Sequence, residues 1–180
     1  DFRNELVEYA KKEIKKRFPD IKTNALNERG LKVAISAMKY PMLSQSPNRI
    51  IVFDKKQAIR FEGDSGPYLQ YSYARASSII KKAKKVQKFE IPDKIEDSDF
   101  LLIKKISDFP EIVQKASKDL NPSIIANYSF QLAQIFNEFY HSSKVLGSED
   151  ESFRIKLVQS FRNTLKSSLY LLGIEVMEEM

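Results

Sequence analysis

Apolar positions recur every three or four residues along almost the whole chain, and that period predicts helices. Over residues 3–18, Leu6, Tyr9, Ala10, Ile14 and Phe18 line one side and Pro19 marks the stop. The outer side carries Lys11, Lys12, Lys15, Lys16 and Arg17. Glu8 and Glu13 stand four residues before Lys12 and Arg17, the order that favours helix ion pairs, so a solvated face is expected there. Thr23–Met42 reads as a helix in two pieces around Gly30, with Leu31, Ala34, Ile35 and Met38 as the later apolar stripe and Pro41 as its end. Ser46-Pro47-Asn48 predicts a loop, and Arg49–Phe53 is the one strand-like run. A single strand makes no sheet, so it is expected to serve as an extended connection. Asp54 then suits the N-cap of a brief helix over Lys55–Phe61.

The stretch Phe61–Arg75 opens a longer helix. Gly63 and Gly66 flank Asp64-Ser65, and Pro67 follows. Small capping residues and a proline at the first helical position are how a helix starts. No breaker follows before Glu90, which predicts about 20 residues, or roughly 30 Å. Tyr68, Tyr71, Arg75 and Ser78 share one face of it, and spacing alone predicts a buried aromatic stripe with the arginine stem laid over it. Lys81–Lys88 holds five lysines and no acid, whereas Glu90, Asp93, Glu96, Asp97 and Asp99 follow around Pro92. This reversal of sign predicts a hinge near 86–98. Asp99–Ile106 and the segment opened by Pro110 are two further helices. Asn121-Pro122 starts the next, which Leu146-Gly147 closes, and its stripe is Ile124, Ile125, Tyr128, Leu132, Ile135, Phe136 and Phe139. Ser148 and Glu151 fit a capping box for the last helix. There Val158, Phe161, Leu165, Leu169 and Leu172 are expected inside, Arg154, Arg162 and Lys166 outside, and Gly173 just past the end.

Composition narrows the function classes. Across 180 residues, hydrophobic content of 42% beside 30% charge is that of a globular domain. No apolar run approaches the length of a membrane span, and the start at Asp1 has neither an initiator Met nor a signal-peptide pattern, which suggests a piece of a longer protein. Zero cysteines exclude disulfides and thiolate metal sites, and a single histidine, His141, cannot build a histidine metal site. A net charge of +6 favours polyanionic partners.

The wording of the glycine–proline stretch is more particular than its spacing. The run Phe61-Glu62-Gly63-x-x-Gly66-Pro67-Tyr68-Leu69-Gln70-Tyr71-x-Tyr73-Ala74-Arg75 resembles the segment of arginyl-tRNA synthetases that leads from their class I catalytic core into the anticodon-binding (DALR) domain. The resemblance extends to Ile51-Val52-Phe53-Asp54, to Leu132-Ala133-x-x-Phe136-Asn137-x-Phe139-Tyr140 and to Leu171-Leu172-Gly173-Ile174-Glu175 … Met180. It implies an all-α helical bundle of the class I anticodon-binding type with one short extended segment. It also implies a linker helix over 1–22, an anticodon-binding helical domain over 23–180, and a DALR-like part over about 68–180.

A class I synthetase needs a His-x-Gly-His motif and a Lys-Met-Ser-Lys-Ser-type loop. One histidine excludes the first, and Lys115-Ala116-Ser117-Lys118 lies in the wrong context for the second, inside the anticodon domain at a helix end. No phosphate-cradling glycine loop is present either, so no catalytic residue is expected here, and no metal or cofactor is expected on this fragment. The resemblance implies ATP with magnesium in the full enzyme, a cytoplasmic monomer, and two partners: the anticodon arm of tRNA(Arg) and the catalytic domain of the same chain.

Single-stranded RNA loops are read by bases stacked on aromatic or guanidinium faces. The expected reader is the end of the 122–146 helix, with Phe136, Asn137, Tyr140, His141 and Lys144; Phe136 also belongs to the apolar stripe, where the core is its ordinary place. Met180 is nominated by the resemblance alone. Arg75 would lie with Tyr68 and Tyr71 nearer the inner corner of the tRNA. Lys81, Lys82, Lys84, Lys85 and Arg154 are the candidate phosphate contacts, which set affinity and salt dependence. Two other functions fit the same residues. One is a synthetase-derived helical module that contacts protein, and the other is a generic single-stranded RNA binder without ligase activity.

Overall fold

The computed structural model describes residues 2–46, 53–83 and 89–180. Among these residues every regular element is a helix: α1 Phe2–Arg17, α2 Thr23–Leu43, α3 Lys55–Ala58, α4 Gly66–Lys82, α5 Asp97–Ser107, α6 Phe109–Lys118, α7 Ser123–Ser142 and α8 Glu151–Leu171. The expected extended run falls largely on 49–52, outside the described residues. Its last member, Phe53, meets Phe2 edge-on with ring centroids 5.2 Å apart. Lys84, Lys85 and the first part of the expected hinge also lie outside the described residues, and 89–96 is non-helical up to α5.

Several helices start and stop where local chemistry dictates. Asp54 accepts from the backbone N–H groups of Lys56 and Gln57, 2.8 and 3.1 Å, and so caps α3. Ser65 caps α4 by accepting from Tyr68 N at 3.2 Å, one residue ahead of Gly66-Pro67. α8 ends in a left-handed Gly173 (φ 64°), with Ile174 N donating to Leu169 O and Gly173 N to Tyr170 O. That double bond satisfies two carbonyls that the helix would otherwise leave unpaired.

Other boundaries differ from expectation. α2 runs unbroken through Gly30, because a single glycine lowers helix propensity by only about 1 kcal/mol and tertiary packing recovers more than that. The glycine sits against α1, where an added Cβ would meet the Lys11 side chain at 2.7 Å. Pro41 lies within the last turn of α2, and the helix closes at Leu43, one residue past the expected Met42. The buried face of α2 is Gly30, Val33, Ala34, Ser36, Ala37 and Tyr40, so the stripe is rotated and Leu31 is 41% exposed. On α1 only Leu6, Ala10 and Ile14 are buried; Tyr9 and Phe18 face outward. Its expected ion pairs at four residues are replaced by pairs at three, Lys11–Glu8 and Lys16–Glu13. The capping box does not form: α8 begins at Glu151 with Asp150 as its N-cap, Glu151 accepts from Gly147 N at 2.6 Å and Ser148 donates to Val145 O.

Two cores result. The larger joins α4 to α8 with Tyr40 of α2, and at its centre Phe136 of α7 stacks on Phe161 of α8 with ring centroids 3.8 Å apart and planes 7° apart. The smaller joins α1, α2 and the α3 region with Ala74, Met177 and Met180. α4 ties the cores together. Its buried face is Leu69, Tyr73, Ala76 and Ile79 with Gln70, Ala74 and Ser77, rather than the Tyr68–Tyr71–Arg75 stripe that spacing suggested. At its start α4 meets α2 so closely that a Cβ on Gly66 would lie 2.4 Å from Ser36 O. Buried Gln70 accepts from Ser36 Oγ at 2.8 Å and donates to Glu175 O at 2.7 Å, fastening the last segment across α2 and α4.

Just past α6 and its C-cap Asp119 stands Leu120, a non-glycine residue at φ 48° and 84% exposed, with Asn121 N donating to Ala116 O. A leucine pays a steric cost in the left-handed region that glycine does not. Leu120→Gly is therefore expected to stabilise the fold by about 0.5–1 kcal/mol, net of glycine's greater unfolded-state entropy. Thermal unfolding should show this as a rise of about 2 °C.

Candidate nucleic-acid interface

The half-buried face of α4 meets α7 in a polar network centred on Asn137, with the Tyr68 ring edge-on to Phe130 at 5.8 Å between centroids. Arg75 donates to Asn137 Oδ1, and Asn137 Nδ2 lies 2.8 Å from the Tyr68 hydroxyl, 3.0 Å from Ser72 Oγ and 2.9 Å from Ala133 O. Burial raises the Tyr68 phenol above its ordinary range, so it stays neutral in this network. The Arg75 guanidinium lies 4.9 Å from the Tyr71 ring centroid and 5.0 Å from that of Tyr140, and Arg75 Nη2 donates to the Tyr71 hydroxyl at 3.3 Å. An arginine held by an amide and flanked by two rings keeps its fork in one orientation, which lowers the ordering cost of using it in recognition.

Tyr71, Arg75 and Tyr140 line an open cleft of about 990 Å³ between α4, the end of α7 with the loop after it, and the chain's last residues. Tyr71, Arg75, Lys81, Lys82, Tyr140 and Lys144 supply aromatic and cationic walls. Glu178 and Glu179 stand at the rim, with Met180 beside them. Glu179 pairs with Arg29 at 3.2 Å and with Lys81 at 3.0 Å. The Lys81 hydrogen bond, then its charge and that of Arg29, holds the Glu179 carboxyl below the usual carboxylate range. Tyr73 donates to Glu178 at 3.0 Å, and its phenol is pushed up by burial first and by that bond second.

Of the residues proposed from sequence, the cleft gathers Tyr140, Lys144, Arg75, Lys81 and Met180. Tyr140 is 39% exposed, and His141 is exposed beside it with its ring edge-on, 5.6 Å between centroids, outside the cleft lining. Phe136 is fully buried and belongs to the core. Asn137 spends its polar atoms on α4 and organises the cleft from behind. Met180 is buried in the smaller core rather than free at the surface. Lys85 lies outside the described residues. Arg154 is the clearest correction. It was expected outside among the phosphate contacts, but it is only 8% exposed and paired with Asp99. Arg29, Glu178 and Glu179 were missed as cleft residues. Nothing in the periodicity of α2 marks Arg29, because what faces it comes from the far end of the chain.

A family model described as the DALR anticodon binding domain matches residues 69–180. The chain belongs to the DALR anticodon binding domain family. The DALR match begins within α4, one residue after Tyr68, and takes in every helix that walls the cleft apart from α2. The chain is 38% identical to an arginine–tRNA ligase of Methanoregula boonei, over 98% of this chain and 32% of that protein. It is 37% identical to one of Pyrococcus furiosus, over 98% of this chain and 30% of that protein. In three dimensions it matches the Thermus thermophilus arginyl-tRNA synthetase with a TM-score of 0.89 and 32% identity, over 99% of this chain and 32% of that one. The Plasmodium falciparum arginyl-tRNA synthetase matches with a TM-score of 0.86 and 26% identity, over 99% of this chain and 33% of that one. The chain thus spans about a third of the length of these relatives.

Proposed function

We propose that this chain docks the anticodon arm of tRNA(Arg) on behalf of an arginine–tRNA ligase. The observation that carries the reading is the Arg75 guanidinium held between the Tyr71 and Tyr140 rings in an open, cation-lined cleft. Unpaired anticodon bases would stack on the exposed Tyr140 ring and meet the Arg75 fork by their edges, while Lys81, Lys82 and Lys144 meet phosphates. The DALR match over the same helices supports it, as do the ligase names of relatives in which a chain like this one makes up about a third.

On this proposal, residues 1–22 are the linker helix from a catalytic domain and 23–180 the anticodon-binding part of a cytoplasmic monomer. The proposed arginylation, with ATP and magnesium, belongs to the catalytic part. This chain carries a single histidine and so no His-x-Gly-His motif for it. Among the described residues no helix is long and apolar enough to cross a membrane.

The test is a filter-binding titration with a tRNA transcript bearing an arginine anticodon, against the same transcript with a scrambled loop at matched salt. Preference for the first is expected, and equal affinity would refute anticodon reading in favour of a generic single-strand binder. Tyr140→Ala, at an exposed position, is expected to lose about 1–3 kcal/mol of binding to the arginine transcript, the worth of one stacked base. Its thermal stability should stay close to that of the parent.

A further inference from the structure

Ser143, Lys144, Val145 and Leu146 of the loop 143–147 line the cleft together with α4, and three groups outside the cleft lining hold that loop. Ser98 Oγ at the start of α5 and Ser143 Oγ are 2.8 Å apart. Glu151 of α8 accepts from Gly147 N at 2.6 Å. The third group is Arg154, whose Nη1 donates to the backbone carbonyl of Lys144 at 3.1 Å. The remainder of its fork engages Asp99, with Nε and Nη2 at 3.4 and 3.3 Å from Oδ2. Asp99 is 1% exposed and its Oδ1 has no hydrogen-bond partner, so the pair is built deep in the protein rather than on its surface.

A buried charge pair costs desolvation, and hydrophobic residues of the same volume often serve stability equally well. Stability alone therefore does not explain why the buried arginine extends past Asp99 to the loop. Arg154 has five donors in a rigid plane. Only such a group can hold the carboxylate of α5 and the Lys144 carbonyl together, and the carbonyl fixes where the Lys144 side chain leaves the backbone.

We infer that Arg154, braced by Asp99, is a positioning residue for RNA binding: it never touches RNA and acts by holding Lys144 and the 143–147 loop against the cleft. This rests on the proposed reading of the cleft as the RNA site. It replaces the direct phosphate contact that sequence suggested for Arg154 with an indirect role.

The test uses the 180-residue chain and the same two transcripts. Arg154→Lys keeps the charge but cannot span both acceptors. It is expected to weaken binding of the arginine transcript about fivefold at a temperature where every variant is folded, and to flatten the salt dependence as Lys144→Ala does. Combining it with Lys144→Ala should add little further loss, because both remove the same contact. Leu165→Val, in the core of α8, provides matched destabilisation and should leave affinity unchanged. Amide exchange at 144–147 should quicken in Arg154→Lys and not in Leu165→Val. Should Arg154→Lys fail to fold, Asp99→Leu/Arg154→Met removes the pair without stranding a charge and is expected to show the same loss. Affinity within twofold of the parent in the folded variant, or losses that simply add with Lys144→Ala, would overturn the inference while leaving anticodon preference intact. Equal affinity for the two transcripts in the parent would instead remove the cleft reading itself.

Discussion

Phe136→Ala is expected to destabilise the protein by about 3–5 kcal/mol. Phe136 is fully buried and stacks on Phe161 at 3.8 Å, so truncation removes the contact between α7 and α8 at the centre of the larger core. The loss combines the transfer of a phenyl ring to water with a cavity that helices anchored at both ends cannot close. For a chain of this length the midpoint of thermal unfolding should fall by roughly 8–16 °C. A fall of less than 3 °C would mean that the ring is not at the centre of a packed core. The same substitution tests whether Phe136 reads RNA. At a temperature where the variant is folded, its affinity for the arginine transcript should remain near the parent's, because the ring cannot reach a bound base.

The second large effect lies at the buried ion pair. Asp99→Ala is expected to cost about 3–5 kcal/mol, because it leaves the Arg154 charge buried without its carboxylate. The Asp150 carboxylate is 3.8 Å from Arg154 Nη2 and offers partial relief, which places the expected value toward the lower end. Asp99→Leu/Arg154→Met should recover most of the loss, since it removes the second charge along with the first and fills the space. Chemical denaturation of the two variants beside the parent checks this. A double variant no more stable than Asp99→Ala would show that the site's worth lies in its hydrogen bonds rather than in balanced charge. The two predictions share only α8: Phe136 of α7 stacks on Phe161, whereas Asp99 of α5 pairs with Arg154, so the losses should add almost independently.

How far the residues foretold the structure depended on the range of the force involved. Asp54, Ser65, Gly66-Pro67 and Gly173 act on groups within five residues of themselves, and each does what its chemistry requires alone. The inward stripes of α7 and α8 were equally legible, since Leu132, Phe139, Val158 and Leu165 carry apolar bulk at a steady period. The face of α2 was misread because its contact surface is made of Gly30, Ala34 and Ala37, small residues that allow close approach and carry little hydrophobic signal. Tyr68 and Tyr71 were misread in the opposite sense, as aromatic bulk that ends half-buried at a polar junction with Asn137 and Arg75.

From its amino-acid order alone the chain determined that it would be helical, where most helices begin and end, and which family wording it carries. Those properties arise from torsional preference, capping and apolar period, all of which operate within a few residues. Tertiary structure alone decided that Arg154 would be inside, that Glu179 would pair with Arg29 and Lys81, and that Arg75 would stand between two rings from different helices. Whether a charge is buried or exposed follows from its partner, and these partners lie 55, 150 and 98 residues away along the chain for the first two cases. No local pattern can encode a neighbour that only folding brings near.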